Sequence, residues 1–572
     1  MAHQQTESAF LLERYFKSKS FSAVREAFPN KETPNTTTTH RPGWNDVGFH
    51  GSDQIPTPNI DALAYSGIIL NQHYVQPICT PTRAALLTSR YPSNIGMQGI
   101  PIAGCEPRAL PPGKLLPQYL KDLGYTTRIV GKWHLGFYKK EFTPTYRGFD
   151  SHLGYWNGLV NYYDHVYQDL IPVKMVKPFP AQGINITQSD IDWAGGDQLS
   201  GVDFHRNLLP ALDLSGRYAT DVFTEEAVNI IETHDLSSPL FLYLAHLACH
   251  SGNIGKLLEA PKDAVDKFGH IIEPNRKTFA AMMSKLDESV GKVVAALKSR
   301  GILQNTIIVF LSDNGAPTLN VGVWRNWGSN YPLRGVKVTQ WEGGVRGVGV
   351  LWGAMLKNTS RVSSQLMHVT DWLPTLYTAA GGNLDDLQSA QLDGVDQWSA
   401  LVDDTPSRRE EVLLVLDERH NVSGLRIGHW KYVTGYRAGL DGYSGDIVLG
   451  TTDPPYNPEE VLQSDAGLAL ATVKLRASAA DILRLRSQAT VTCSSPVSST
   501  PCNPEKGPCL FDLSVDPCEV NDLSAQHPNV VQKLTELLSK YSATLVPQLN
   551  EPYDPVRADP AKFNNIWSSW ED

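Results

Sequence analysis

Residues 278–311 read TFAAMMSKLDESVGKVVAALKSRGILQNTIIVFL, a helix followed by a strand, and the fold can be worked outward from them. Met282, Leu286, Val290, Val293 and Leu297 recur at spacings of three and four, so they share one face of a helix over Thr278–Arg300. Gly301 ends it, because glycine accepts the left-handed backbone that closes a helix. The β-branched run Thr306–Leu311 (TIIVFL) then reads as a buried strand. The same rhythm runs upstream. Pro239–Ala245 (PLFLYLA) is a continuous apolar strand, and Leu115–Leu123 is a helix that stops at Gly124, directly before the strand Thr126–Val130 (TTRIV). Strands alternating with amphipathic helices indicate an α/β fold, a mostly parallel sheet flanked by helices.

This pattern holds from Gly43 to about Gly382, and a composition shift toward Asp, Ser, Pro and Gly sets a boundary near 382–405. Three parts are expected. Residues 1–42 form an atypical segment without apolar periodicity, expected to be poorly ordered. Residues 43–390 form the large α/β domain, and 391–572 a smaller C-terminal α+β domain. The last part holds a strand-turn-strand near Gly424–Tyr436, a loop-rich stretch over 440–505 and a final helix over Pro528–Tyr541.

The 572 residues are 41% hydrophobic, ample for two cores, and the net charge of -10 with no basic run excludes nucleic acid as a partner. No stretch approaches the roughly 18–20 apolar residues of a membrane span. The first residues, MAHQQTESAFLLERYF, lack the pattern of a signal peptide, which predicts a cytosolic chain if this N-terminus is genuine. Four N-x-[ST] sequons occur, at Asn35, Asn185, Asn358 and Asn421, of which Asn185, Asn358 and Asn421 are glycosylation candidates, and they point instead to a secreted or lysosomal protein. Four of the seven cysteines fall between Cys493 and Cys518, which favours local disulfides, with Cys509–Cys518 as one pair. A zinc site there is the weaker alternative, since close C-x-x-C pairs are missing.

The chemistry centres on Cys79-Thr80-Pro81-Thr82-Arg83, a C-x-P-x-R sequence followed by ALLTSRYP. Taken alone, Cys79 is more often a small buried hydrophobe, and Lys132, Lys337 or His250 a surface or core residue. Lys132 and His134 follow the strand TTRIV, however, and His250 follows PLFLYLA. That puts polar groups just beyond strand C-termini, where open α/β sheets bind ligands. Asp313 and Asn314 end the strand TIIVFLS and offer hard oxygen donors suited to calcium or magnesium, although Asp-Asn-Gly is also an ordinary turn.

In order along the chain, GWNDVGFHGS (43–52), CTPTR (79–83), VGKWHLG (130–136), RGFD (147–150), SDNG (312–315), PLRGVKVTQWEGGVRG (332–347), HVTDWLPTL (368–376) and LFDLSVDP (510–517) resemble the type I sulfatases, in particular those of arylsulfatase B type. The resemblance implies an alkaline phosphatase-like sandwich whose Cys79 is oxidised by a formylglycine-generating enzyme to formylglycine. Its hydrate has two hydroxyls on one carbon, so one can attack sulfur and the other later expel sulfate. By the same resemblance Arg83 orients that residue, Lys132 and Lys337 bind sulfate oxygens, and His134 holds the hydrate. His250 contacts the sulfate or protonates the leaving oxygen. Asp313, Asn314 and residue 79 ligate calcium, and the substrate is a sulfated carbohydrate or small sulfate ester. His246 has no matching role and reads as structural. Ser89 stands where the family has glycine, outside the Cys, Pro and Arg triplet.

The resemblance stops at Gly43. In the family an apolar strand ending in two aspartates precedes this point; here Thr36–Thr39 are polar, and His40 and Arg41 stand at the aspartate positions. That predicts a sheet short of one strand, a weakened calcium site and an atypical first exon. It also keeps a second function open, a catalytically impaired relative that binds sulfated carbohydrate. A phosphoryl ester hydrolase on the same fold is the third and weakest reading.

Overall fold

The computed structural model describes residues 42–170, 198–318, 325–435, 440, 453–493 and 501–572, with the main chain of 2–3, 9–11 and 37–40. The sequons at Asn35 and Asn185, and Arg41, lie outside the described residues.

Five strands form the parallel heart of a twelve-stranded sheet: β1 (Thr37–His40), β2 (Thr126–Lys132), β3 (Ser151–Tyr155), β4 (Leu240–Ala245) and β5 (Ile307–Ser312). Their spatial order is β3-β2-β4-β1-β5, with the short strand Ala9–Leu11 inserted antiparallel between β1 and β5 except at the His40–Ser312 bridge. In register, Ala245 on β4 pairs with Gly131 on β2 and Thr39 on β1, and His40 with Ser312 on β5, so the C-terminal ends finish level. Beyond β5 the sheet turns antiparallel through β6 (Gly349–Gly353). It is thus mixed, with a parallel centre. The strand expected to be missing is filled by the polar Thr37–His40, which pairs through its main chain and so needs no apolar side chains to take that place.

Two groups of helices flank the sheet. One contains α1 (Pro58–Ser66), α4 (Ala219–Thr233) and α5 (Pro274–Ser299), the other α2 (Cys79–Thr88) and α3 (Leu116–Asp122). In α5 the five residues of the apolar stripe are all fully buried, and truncating one such as Leu286 to alanine would cost about 2–5 kcal/mol. The carboxylate of Glu273 caps its N-terminus by accepting from the Arg276 N–H, which extends the helix one turn upstream of the sequence expectation.

Within the stretch expected to be loop-rich (440–505), the described residues 453–493 are largely helical. They contain α6 (Pro458–Gln463), α7 (Asp465–Ala471) and α8 (Ala479–Ala489). Val461, Leu470, Ile482 and Leu485 join the core of the large sheet. Asn59 Oδ1 on α1 accepts from the Ala466 N–H at 3.0 Å, so this stretch packs with the large domain although it lies beyond the compositional boundary. The small sheet is antiparallel: β7 (Glu411–Asp417), β8 (Val422–Ile427), β9 (Trp430–Thr434) and β10 (Cys509–Asp512), covered by α9 (Pro528–Ala543). The disulfides are Cys493–Cys518 and Cys502–Cys509, not Cys509–Cys518. Cys509 lies on β10, and its partner is seven residues before it.

Candidate active site

Cys79 is the first residue of α2, where the unpaired N–H groups and the helix dipole favour negative charge. It is buried, and its Sγ lies 3.3 Å from His134 Nδ1. His134 Nε2 is 3.0 Å from the carbonyl oxygen of Ile102. A carbonyl only accepts, so Nε2 carries the proton and Nδ1 presents its lone pair to residue 79. Burial lowers the His134 pKa to about 4, which keeps the ring neutral near neutral pH.

His134 is delivered by β2. The strand passes Gly131, whose φ is +102° and whose Cβ, if it had one, would lie 1.9 Å from the Ala245 carbonyl oxygen. Only glycine allows Lys132 and His134 to follow at this height. The His134 N–H donates to the Trp156 carbonyl at 3.0 Å.

Arg83, one helical turn after Cys79, is fully buried. Its Nη1 donates to the Lys132 carbonyl at 3.0 Å and to the Tyr243 hydroxyl at 3.4 Å, and its Nε and Nη2 each lie 3.2 Å from Asp313 Oδ2. A guanidinium held on three sides fixes α2 against the ends of β2, β4 and β5. Thr82 Oγ1 also donates to the Asp313 carbonyl at 2.5 Å. Lys132 and Lys337 are both buried. The Lys337 N–H donates to the Ala316 carbonyl and the Val338 N–H to the Pro77 carbonyl, at 3.1 and 2.7 Å, so the Lys337 loop sits between the Asp313 and Cys79 segments. His250 lies past the end of β4, buried, with Nδ1 2.6 Å from the Ser251 carbonyl; a carbonyl only accepts, so Nδ1–H is the donor there. His246 behaves as a structural residue, its Nε2 bonded to Ser289 Oγ at 2.9 Å.

Tyr243, the Ile102 carbonyl and the Arg83–Asp313 pair were not picked out in the sequence. Tyr243 sits inside PLFLYLA, where an aromatic residue is indistinguishable from core, and a backbone carbonyl leaves no trace in residue identity.

The structure thus sets buried Cys79, His134 and Arg83 at the ends of parallel strands of an α/β fold, with Lys132 and Lys337 on the adjoining segments. The chain belongs to the sulfatase family, whose model matches residues 41–382. It is 36% identical over 549 residues to arylsulfatase J of Mus musculus, covering 92% of this chain and 78% of that protein. It is 32% identical over 373 residues to N-acetylgalactosamine-6-sulfatase of Rattus norvegicus, covering 62% of each. Among solved structures, Ps i-CgsB in complex with k-i-k-neocarrahexaose superposes with a TM-score of 0.64 at 25% identity, covering 89% of this chain and 92% of that one. The PsFucS1 sulfatase from Pseudoalteromonas sp. gives 0.59 at 25% identity, covering 88% of both. These likenesses establish the alkaline phosphatase-like α/β fold. No helix among the described residues is long and apolar enough to cross a membrane.

The donors described make up only part of the calcium site expected from the family. Arg83 binds only Oδ2 of Asp313, while Asp313 Oδ1 and Asn314 Oδ1 are buried hard oxygens that would suit part of a calcium site. Among the described residues no three His, Cys, Asp or Glu side chains gather to hold a metal ion, whereas calcium takes six to eight oxygens.

Proposed function

We propose that the chain hydrolyses sulfate esters, with residue 79 as nucleophile after oxidation of Cys79 to formylglycine by a formylglycine-generating enzyme. The observation that carries this is the contact of Cys79 Sγ with a neutral, tautomer-fixed His134 beside the clamped Arg83. As the hydrate, formylglycine would supply a hydroxyl nucleophile on that residue. His134 Nδ1 is placed to accept a hydrogen bond or proton from such a hydroxyl. Lys132 and Lys337 bring two ammonium charges for the sulfate oxygens, and the α2 N-terminus adds partial positive charge. Arg83 keeps α2 and the end of β2 in fixed relation, so the nucleophile and Lys132 keep their spacing. His250, protonated on Nε2, would donate to the departing oxygen.

The substrate reading is a sulfate ester on a galactosamine glycan, as in arylsulfatase B, or on a smaller sulfated metabolite. A relative named for N-acetylgalactosamine 6-sulfate and a structural neighbour solved with an oligosaccharide support the carbohydrate class. The family would place the chain in lysosomes or outside the cell, with glycans on Asn358 and Asn421, both in turns and exposed. The calcium expectation is not carried forward, because Asp313 and Asn314, with His40 and Arg41 at the family's aspartate positions, supply too few oxygens on their own.

The incomplete metal side favours one second reading, an inactive binder of sulfated carbohydrate. Peptide mass spectrometry across residue 79, with turnover of a generic aryl sulfate by the wild type and by Cys79→Ala, separates the two. An unmodified thiol in secreted protein, with no turnover, rejects the hydrolase.

A further inference from the structure

The loop that carries Lys337 is fastened at two ends, and one of them lies in the small sheet. On the site side it is held by the Ala316 and Pro77 carbonyls. Between these, Val338 adopts a φ of +72°, a region unfavourable for a β-branched residue, so the turn persists only if its surroundings hold it.

Five residues after Lys337, Glu342 opens a short helix (Glu342–Val345) and directs its carboxylate to the small sheet. Its Oε1 lies 2.9 Å from Lys431 Nζ on β9, and its Oε2 accepts from the Tyr74 hydroxyl at 2.9 Å. Lys431 Nζ also lies 2.8 Å from Glu519 Oε1, while Glu519 Oε2 accepts from the Glu342 N–H at 2.8 Å. From the same loop, Arg334 donates to the Glu519 carbonyl at 3.0 Å and Gln340 to the Gly435 carbonyl at 2.9 Å. Lys431, Glu342 and Glu519 are all fully buried.

Apolar packing would join the two sheets with a smaller desolvation cost than this cluster of Lys431, Glu342 and Glu519, with Arg346 Nη1 also 3.5 Å from Glu342 Oε2. What the charges add is direction, since one ammonium shared by two carboxylates sets where Glu342, and the turn before it, must lie. We propose that Lys431 and Glu519 are positioning residues for Lys337, so that the small sheet forms part of the sulfate-binding apparatus. The inference rests on the reading of Lys337 as a sulfate ligand.

The test is calorimetric titration of the full chain with inorganic sulfate, alongside melting temperatures. Glu519→Gln keeps the side-chain shape and Lys431→Arg keeps the charge; Lys431→Met removes it, and Lys337→Ala is the reference. A misplaced Lys337 weakens sulfate binding by about tenfold, the size of one lost charge-assisted contact. The expected order is Lys337→Ala and Lys431→Met weakest, Glu519→Gln next, and Lys431→Arg nearest the wild type. A purely structural role would lower the melting temperature while the folded fraction binds sulfate as before. If Glu519→Gln and Lys431→Arg bind like the wild type while Lys337→Ala does not, the coupling is wrong. If Lys337→Ala itself binds normally, the sulfate reading fails and takes this inference with it.

Discussion

The two walls of the pocket are built to different standards. On the β2 side, Cys79, His134, Ile102 and Trp156 form a closed chain of contacts in which the imidazole tautomer and the ring position are both set. On the β1–β5 side, the polar strand Thr37–His40 ends beside Ser312, the Asp313 carboxylate is taken up by Arg83, and Asn314 Oδ1 has no hydrogen-bond partner. Among the described residues, Arg83, Lys132 and Lys337 are the buried basic side chains of this region, and Asp313 is the carboxylate that Arg83 pairs with. The first wall is set by direct contacts, whereas the described donors of the second make up only part of a hard-cation site.

If the first wall carries the chemistry, the largest effect belongs to Cys79→Ala. Turnover of an aryl sulfate should fall by at least roughly 10³-fold, as when a covalent nucleophile is removed elsewhere. Residual activity near the wild type would show that residue 79 is not the nucleophile. Next in size is Lys132→Ala, which should weaken competitive inhibition by inorganic sulfate by about 10- to 100-fold. Inhibition that is unchanged would remove Lys132 from the sulfate site.

A smaller effect separates the walls by pH. Burial lowers His152, whose Nε2 bonds the Gly131 carbonyl behind β2, to about 4, and His246 and His73 to about 3. The unfolded chain binds these protons below about pH 6.5 and the folded chain does not, so stability should fall as pH drops from 6.5 toward 4. Each ring contributes up to about 1.4 kcal/mol per pH unit in that window. Melting temperatures across pH 4–8 measure it, and His246→Gln should flatten the acid limb; a flat profile in the wild type contradicts the neutral-ring assignment.

Much of the first wall was legible in the sequence because its signals are local. C-x-P-x-R lies within one helical turn, and Lys132 and His134 follow a strand whose apolar run is unmistakable. The β-α rhythm likewise gave the sheet and α5 to within a few residues. What stayed hidden depends on distant pairing. Thr37–His40 has no apolar signature, and only its main-chain bonds to β4 make it a strand. The disulfide partners were misassigned because density of cysteines does not encode which thiols β10 brings together. The helices over 458–489 are short, with buried faces too brief for a periodic pattern, and they are stabilised by α1 and α5.

The smallest effect concerns the second wall, and the expected result is no change. A cation held at 100 times its dissociation constant would stabilise the fold by about 2.7 kcal/mol, visible as a rise in melting temperature. Here a divalent ion would find, among the described residues, one carboxylate ion-paired through Oδ2 and one amide oxygen, beside the buried Arg83 guanidinium. Chelator should therefore shift melting by less than about 1 °C and leave sulfate binding unchanged. Elemental analysis should find no stoichiometric calcium. The comparison sharpens if the missing charge is restored: His40 registers with Ser312, one residue before Asp313, so His40→Asp with Arg41→Asp should create chelator-sensitive stability where the parent has none. One calcium per chain in the unaltered protein would mean that carboxylates beyond the described residues complete the second wall, and the asymmetry between the two walls would disappear.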